Sequence, residues 1–170
     1  MGAALDTNET QPVQGWQVLT FDLDRETFAL EAGLVREVLD LLPETAVPSA
    51  APFVEAVINF RGRIIPLADL RIAFGLERAQ TTIHSRIIVI EYELDSGPTL
   101  VGLRADKVHE VTTIEAADTE DAPRVGLRWR SDFVRRLARR GGDLIVLPDL
   151  GQIFASRGGA SGVVVPLSTS

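Results

Sequence analysis

The sequence predicts a mostly β protein, a small barrel or sandwich. Three observations carry that expectation. Apolar segments of strand length recur at roughly 8–15-residue spacing. The helical patterns between them are short. No repeat of the 20–50-residue kind that marks a solenoid or propeller is visible. The chain has 170 residues, 45% of them hydrophobic and 24% charged. That suits one domain able to bury roughly 70% of its unfolded surface.

In order along the chain, the first 13 residues are polar and read as a flexible tail. Trp16 to Leu23 alternates, with Leu19, Phe21 and Leu23 on one side and Val18, Thr20 and Asp22 on the other, which predicts a strand. A polar turn leads to a second strand, Thr27 to Leu30. The stretch from Leu34 to Leu42 fits strand or helix, its valines favouring strand. Pro52 suits the first position of a short helical turn through Val57. Then Val57 to Phe60 and Arg63 to Leu67 read as two strands joined by a tight turn at Arg61-Gly62. Asp69 is placed to cap a short helix from Leu70 to Phe74, stopped by Gly75. Strands follow at Arg86–Tyr92, Pro98–Ala105, Val108–Ile114 and Asp143–Leu147, with a turn at Gly97-Pro98. Ser131 reads as the cap of a helix from Asp132 to Arg140, halted by Gly141-Gly142. Residues 157–170, rich in Gly and Ser, read as a second flexible tail.

Composition excludes several functions. The absence of cysteine rules out disulfides, a thiolate nucleophile, iron–sulfur clusters and cysteine zinc sites. The first eleven residues lack the basic and apolar regions of a signal peptide. The longest apolar runs are about four residues against the ~20 of a membrane helix, so no direct membrane insertion is expected and the chain reads as cytoplasmic. His84 and His109 do not have the spacing of ligands on one helix face, and no metal or cofactor is expected. No phosphate-binding loop, dinucleotide fingerprint or nucleophile elbow is present, and no catalytic residues are identified.

The net charge of −7 disfavours nucleic acid. Charge is nevertheless uneven. From Arg124 to Arg140 there are seven arginines against the single acid Asp132. That stretch is either a solvated face or a docking patch, and the alternative function it suggests is a small β-barrel nucleic-acid-binding module. The other unusual feature is Asn59-Phe60-Arg61-Gly62. An arginine at the tip of an apolar hairpin either points into water or makes a multidentate contact that its planar fork suits, and Asn59 can hold the turn.

The segment INFRGRIIPLADLR, preceded by VPSAAPFVEAV, resembles the signature of the CheW-like domain of bacterial chemotaxis. FALEAGLVREVL upstream, and SRIIVIEYE, LVGLRADKVHEV and GGDLIVLPDLGQIF downstream, are similar to its other strands and its closing helix. The likeness covers residues 14–156. The chain departs from the family pattern at Ala56, at Arg104-Ala105-Asp106 and at Arg136. The resemblance implies two interlaced, small five-stranded β-barrels with short connecting helices, divided near residues 66–70, the C-terminal segment returning to the first barrel. It implies a non-catalytic adaptor that couples the cytoplasmic tips of methyl-accepting chemoreceptors to the regulatory domain of the histidine kinase CheA, in arrays at the membrane that can include further copies. By matching position, Val35, Glu37, Asn59, Arg61, Ile87 and Ile88 would line or support a receptor groove, and Val38 and Leu39 would face the kinase. For Val35 and the two isoleucines, plain core packing is the competing reading, and alternation forbids Ile87 and Ile88 from facing the same way.

Overall fold

Period-two burial organises most of the chain. The structure, a computed structural model, describes residues 15–48, 53–77, 80–123 and 130–156, so the two predicted tails and residues 124–129 lie outside the described residues. Twelve strands are described: β1 Gly15–Leu23, β2 Glu26–Glu31, β3 Val35–Leu39, β4 Glu44–Ala46, β5 Val54–Phe60, β6 Arg63–Ala68, β7 Arg86–Leu94, β8 Gly97–Ala105, β9 Lys107–Glu115, β10 Thr119–Glu120, β11 Val134–Arg140 and β12 Asp143–Pro148. Two short helices, α1 (Leu70–Ala73) and α2 (Leu150–Ala155), follow β6 and β12.

The strands form two six-stranded sheets, ordered β10-β11-β12-β2-β1-β9 and β3-β7-β8-β6-β5-β4. In each, five strands are accompanied by a very short one, β10 or β4. The fold is therefore mostly β, as expected, and its two barrel-like sheets are interlaced. The sheets do not divide near residues 66–70, because β6 continues there between β5 and β8. The crossings are at Ala32–Leu34, where a 3₁₀ turn carries the chain out of β2 into the other sheet, and at Asp106, where it crosses back.

Two further expectations are corrected. Val54 to Val57 is strand: Val54, Ala56, Ile58 and Phe60 are buried with less buried residues between them, and β5 pairs with β6 from Val54↔Ala68 to Phe60↔Arg63. Asp132 to Arg140 is a 3₁₀ turn, Ser131–Phe133, followed by β11. Val134, Leu137 and Ala138 have helical spacing, but a bulge between Val134 and Arg136 inserts one residue into the strand and produces that spacing from a β ladder.

The second half of the chain repeats the first. The hairpin β5–β6 and the hairpin β11–β12 have the same register, including a bulge after the first pair, at positions eighty residues apart. Asp69 N–H donates to the Phe53 carbonyl and Asp149 N–H to that of Phe133, both at 2.8 Å. Asp69 and Asp149 then cap α1 and α2, accepting from Arg71 N–H and Gln152 N–H. Each hairpin lies parallel to a strand of the other half, β6 beside β8 and β12 beside β2. The halves thus exchange strands, and their helices are exchanged too: Phe74 at the end of α1 packs edge-on against Phe133, and Phe154 of α2 stacks on Phe53.

Each sheet surrounds a small core of its own, Ile58, Phe60, Leu67, Ile87 and Val89 in one and Val18, Ala29, Ile114, Ala138 and Ile145 in the other. The largest core lies where the sheets meet, around Phe21, Phe28, Phe74, Ile88, Leu103 and Phe133. An ionic junction borders it. Arg71 of α1, its side chain 4% exposed, pairs with Asp69 and with Asp106 at the crossing. Asp106 in turn accepts from Asp24 N–H at 2.6 Å, and its own N–H donates to the Asp22 carbonyl at 2.9 Å. The arginine therefore ties the helix of one sheet to the β1–β2 turn of the other.

Candidate docking groove at the seam of the two sheets

Strand β3 is the edge of its sheet, paired on one side with β7. A bulge between Val35 and Glu37 sets its facing. Val35 and Val38 stand opposite Ile90 and Ile88, which belong to the core between the sheets. Glu37 and Leu39 stand opposite Val89 and Ile87, which belong to the core inside the sheet. The predicted residues therefore occupy two faces of one strand. Ile87 and Ile88 are both fully buried and point into different cores, so they support the strand from beneath and do not line a surface. Val35 is half-buried against the seam and Leu39 half-buried against the inner core.

On the inner face, Arg61 reaches from the β5–β6 turn to Glu37, its Nε and Nη2 donating to Oε1 at 3.1 and 2.6 Å. This contact links the far hairpin of the sheet to its opposite edge. The Asn59 side chain accepts from Gly62 N–H at 2.8 Å, holding the turn. Arg61, Glu37 and Asn59 are thus brought together. Arg61 has φ +53° and Gly62 φ +83°, positive at both turn residues, as a two-residue turn on a right-twisted hairpin requires. The repeated hairpin solves the same turn with Gly141 and Gly142, at φ +59° and +88°. A left-handed conformation costs a non-glycine residue about 1–2 kcal/mol. Arg61 occupies a position that its counterpart fills without strain, and its guanidinium remains largely exposed. Strain kept at such a place points to function.

On the other face, Val38 opens into a groove of about 340 Å³ between the sheets, lined by Leu19, Val38, His84, Arg86, Lys107, Val108 and His109. Val38 is 39% exposed, an apolar side chain at an open edge. His109 Nε2 lies 3.0 Å from Asp22 Oδ2, and Thr27 Oγ1 donates to the other oxygen of that carboxylate at 3.1 Å. Of these lining residues, the sequence points only to Val38 for docking. The rest are assembled by strand exchange: β9 joins β1, and β3 and β7 arrive from the other sheet.

The basic stretch ending at Arg140 is engaged within the molecule over its described part. Arg130 pairs with Asp132, Arg135 with Glu31, Arg136 with Asp121 and Arg139 with Glu120, while Arg140 donates to the Thr113 carbonyl. Arg124 and Arg128 lie outside the described residues. Among the described residues no group of His, Cys, Asp or Glu side chains is arranged to hold a metal ion, and no helix is long and apolar enough to cross a membrane.

Two interlaced six-stranded sheets with an open seam define a β-rich domain of two joined barrel-like halves. Residues 17–158 match the CheW-like domain family. The chain is 28% identical over 142 residues to a chemotaxis protein CheW of Rhizobium meliloti, covering 84% of this chain and 89% of that one. It is 25% identical to the chemotaxis protein CheW of Klebsiella aerogenes, covering 84% and 83%. The crystal structure of the scaffolding protein TtCheW from Thermoanaerobacter tengcongensis superposes with a TM-score of 0.75 at 30% identity, over 91% of this chain and 96% of that one. The protein belongs to the CheW-like domain family.

Proposed function

We propose that this protein is a non-catalytic chemotaxis adaptor that couples methyl-accepting chemoreceptors to the histidine kinase CheA in cytoplasmic arrays at the membrane. Family membership supports the class. The observation that carries the reading is the apolar-floored groove beside the exposed edge of β3. A receptor's helical tip lies in that groove on Leu19, Val38 and Val108, the arrangement in which an apolar helix face meets an apolar trough. Val35, Ile87 and Ile88 hold the floor rigid, and Arg61, set by Glu37 and Asn59, supplies a charge-assisted hydrogen bond from the neighbouring barrel end.

The kinase contact is better supported at the barrel ends than at Val38 and Leu39, which face opposite ways. Ile64 and Leu144 stand at equivalent places just beyond the two repeated turns, and both are exposed aliphatic side chains. Such a pair of ends suits a regulatory domain of similar fold, or further copies, meeting them end to end. Each contact is of modest size, and repetition in an array supplies the strength.

The test uses the purified chain with a receptor cytoplasmic fragment and, separately, with the kinase regulatory domain. Val38→Asp weakens receptor capture while kinase capture persists, and Ile64→Asp does the reverse. Failure of the unaltered chain to associate with either protein overturns the proposal.

A further inference from the structure

Lys107 is the only lysine in the chain, and His84 and His109 are its only histidines. The fold gathers all three, with Arg86, at the groove of Leu19, Val38 and Val108. Two of the seven lining residues, Arg86 and Lys107, are cationic, two are histidines and none is acidic, on a chain whose net charge is −7. Two of the neighbouring carboxylates are engaged within the molecule. Asp22 accepts from Thr27 and faces His109, and Asp106 is held by Arg71 and by Asp24 N–H. Asp40 lies 3.5 Å from Arg86 but is itself almost wholly exposed. Arg86 is further anchored by donating to the Ile83 and Ser85 carbonyls at 2.8 Å, so its guanidinium is fixed at the groove edge. The lining thus combines the apolar Leu19, Val38 and Val108 with the cationic Arg86 and Lys107.

Building on the docking reading above, we infer that this groove selects a helix whose apolar stripe is flanked by carboxylates, with Lys107 and Arg86 as the specificity-determining residues. The apolar floor accepts any amphipathic helix of suitable width. The rim discriminates: aspartates and glutamates beside the stripe meet Lys107 and Arg86, whereas lysines there meet like charge. Rim charges act mainly on the rate of encounter and on the choice among partners, and their effect is screened by salt.

The experiment measures binding of the full chain to a soluble chemoreceptor signalling-tip fragment, at low and at moderate salt, by a surface-based kinetic assay. Lys107→Glu, an exposed substitution whose fold is checked by circular dichroism, is expected to weaken binding about tenfold at low salt, mostly through slower association, with the difference shrinking as salt rises. A tip fragment with its flanking carboxylates changed to lysine should bind the unaltered chain poorly and recover on Lys107→Glu. If Lys107→Glu binds the native tip as well as the unaltered chain does while Val38→Asp abolishes binding, the charge inference falls and the docking reading stands. If Val38→Asp also binds normally, both fall. Self-association of the chain that Lys107→Glu removes would assign the groove to a second copy and overturn the inference.

Discussion

Arg71→Ala should cost the protein a large part of its stability. The guanidinium is nearly buried and neutralises two carboxylates, Asp69 after β6 and Asp106 at the crossing between the sheets. Removing one partner of a buried pair costs about 3–5 kcal/mol. Two features place this case near 3 kcal/mol. Asp69 retains the Arg71 backbone N–H at 3.0 Å and Arg104 at 3.8 Å, and Asp106 retains Asp24 N–H and is 27% exposed. A domain of this size loses roughly 2–4 °C of Tm per kcal/mol, so a fall of about 6–12 °C is expected. Thermal unfolding followed by circular dichroism measures the fall in Tm, and urea unfolding the loss in free energy. Arg36→Ala, which removes an exposed pair with Glu91, serves as the control and should cost under about 1 kcal/mol. A loss below about 1 kcal/mol for Arg71→Ala would refute the view that this arginine bolts the sheets together.

Other outcomes follow from the same geometry. Arg61→Gly relieves a positive φ worth about 1–2 kcal/mol but loosens the unfolded chain by about 0.4–1 kcal/mol and removes an exposed ion pair worth about 0–1 kcal/mol. Its melting curve should therefore stay close to that of the unaltered chain while receptor capture weakens by about 1–3 kcal/mol, the usual worth of a hydrogen bond to a charge. Gly141→Ala forces a side chain into φ +59° and should cost about 1 kcal/mol in denaturant titration. Gly151→Ala places a Cβ 2.9 Å from the Tyr92 hydroxyl, so the ring must shift; a crystal structure or the tyrosine near-ultraviolet signal would register the displacement. Burial, with Asp149 second, raises the Tyr92 phenol above its ordinary value. Its contribution is then complete below about pH 10 and is lost as pH rises through the higher folded value. Tyr92→Phe should accordingly reduce the stability lost in that alkaline range.

Much of the fold is legible in the chain because local rules and tertiary contacts agree. The Arg61-Gly62 turn, the flanking alternation and the Asp69 cap all sit where the residues predict them. Val134 to Arg140 misleads because a single bulge converts strand alternation into helical spacing. Val54 to Val57 misleads because Pro52 suggests a helix start that the buried period of two overrides. Of the residues proposed for docking, Glu37, Asn59 and Arg61 are legible through a signature motif. The groove is not, because Leu19, Val38, His84 and Lys107 meet only after strands have been traded between sheets, a long-range event that no window of sequence contains. The eighty-residue repetition is equally hard to see: register, capping and turn geometry are preserved while side chains such as Arg61 and Gly141, or Arg71 and Gly151, have diverged.

The trading of strands has a mechanical consequence. Neither half of the polypeptide owns a complete sheet: β1 and β2 rely on β9 and β12 as neighbours, just as β7 and β8 rely on β3 and β6. A force applied at the lip of β3 therefore loads backbone from both halves at once. Among the described residues, a load on β3 passes through β7 and β8 to β6, strands of both halves, before it reaches the opposite edge.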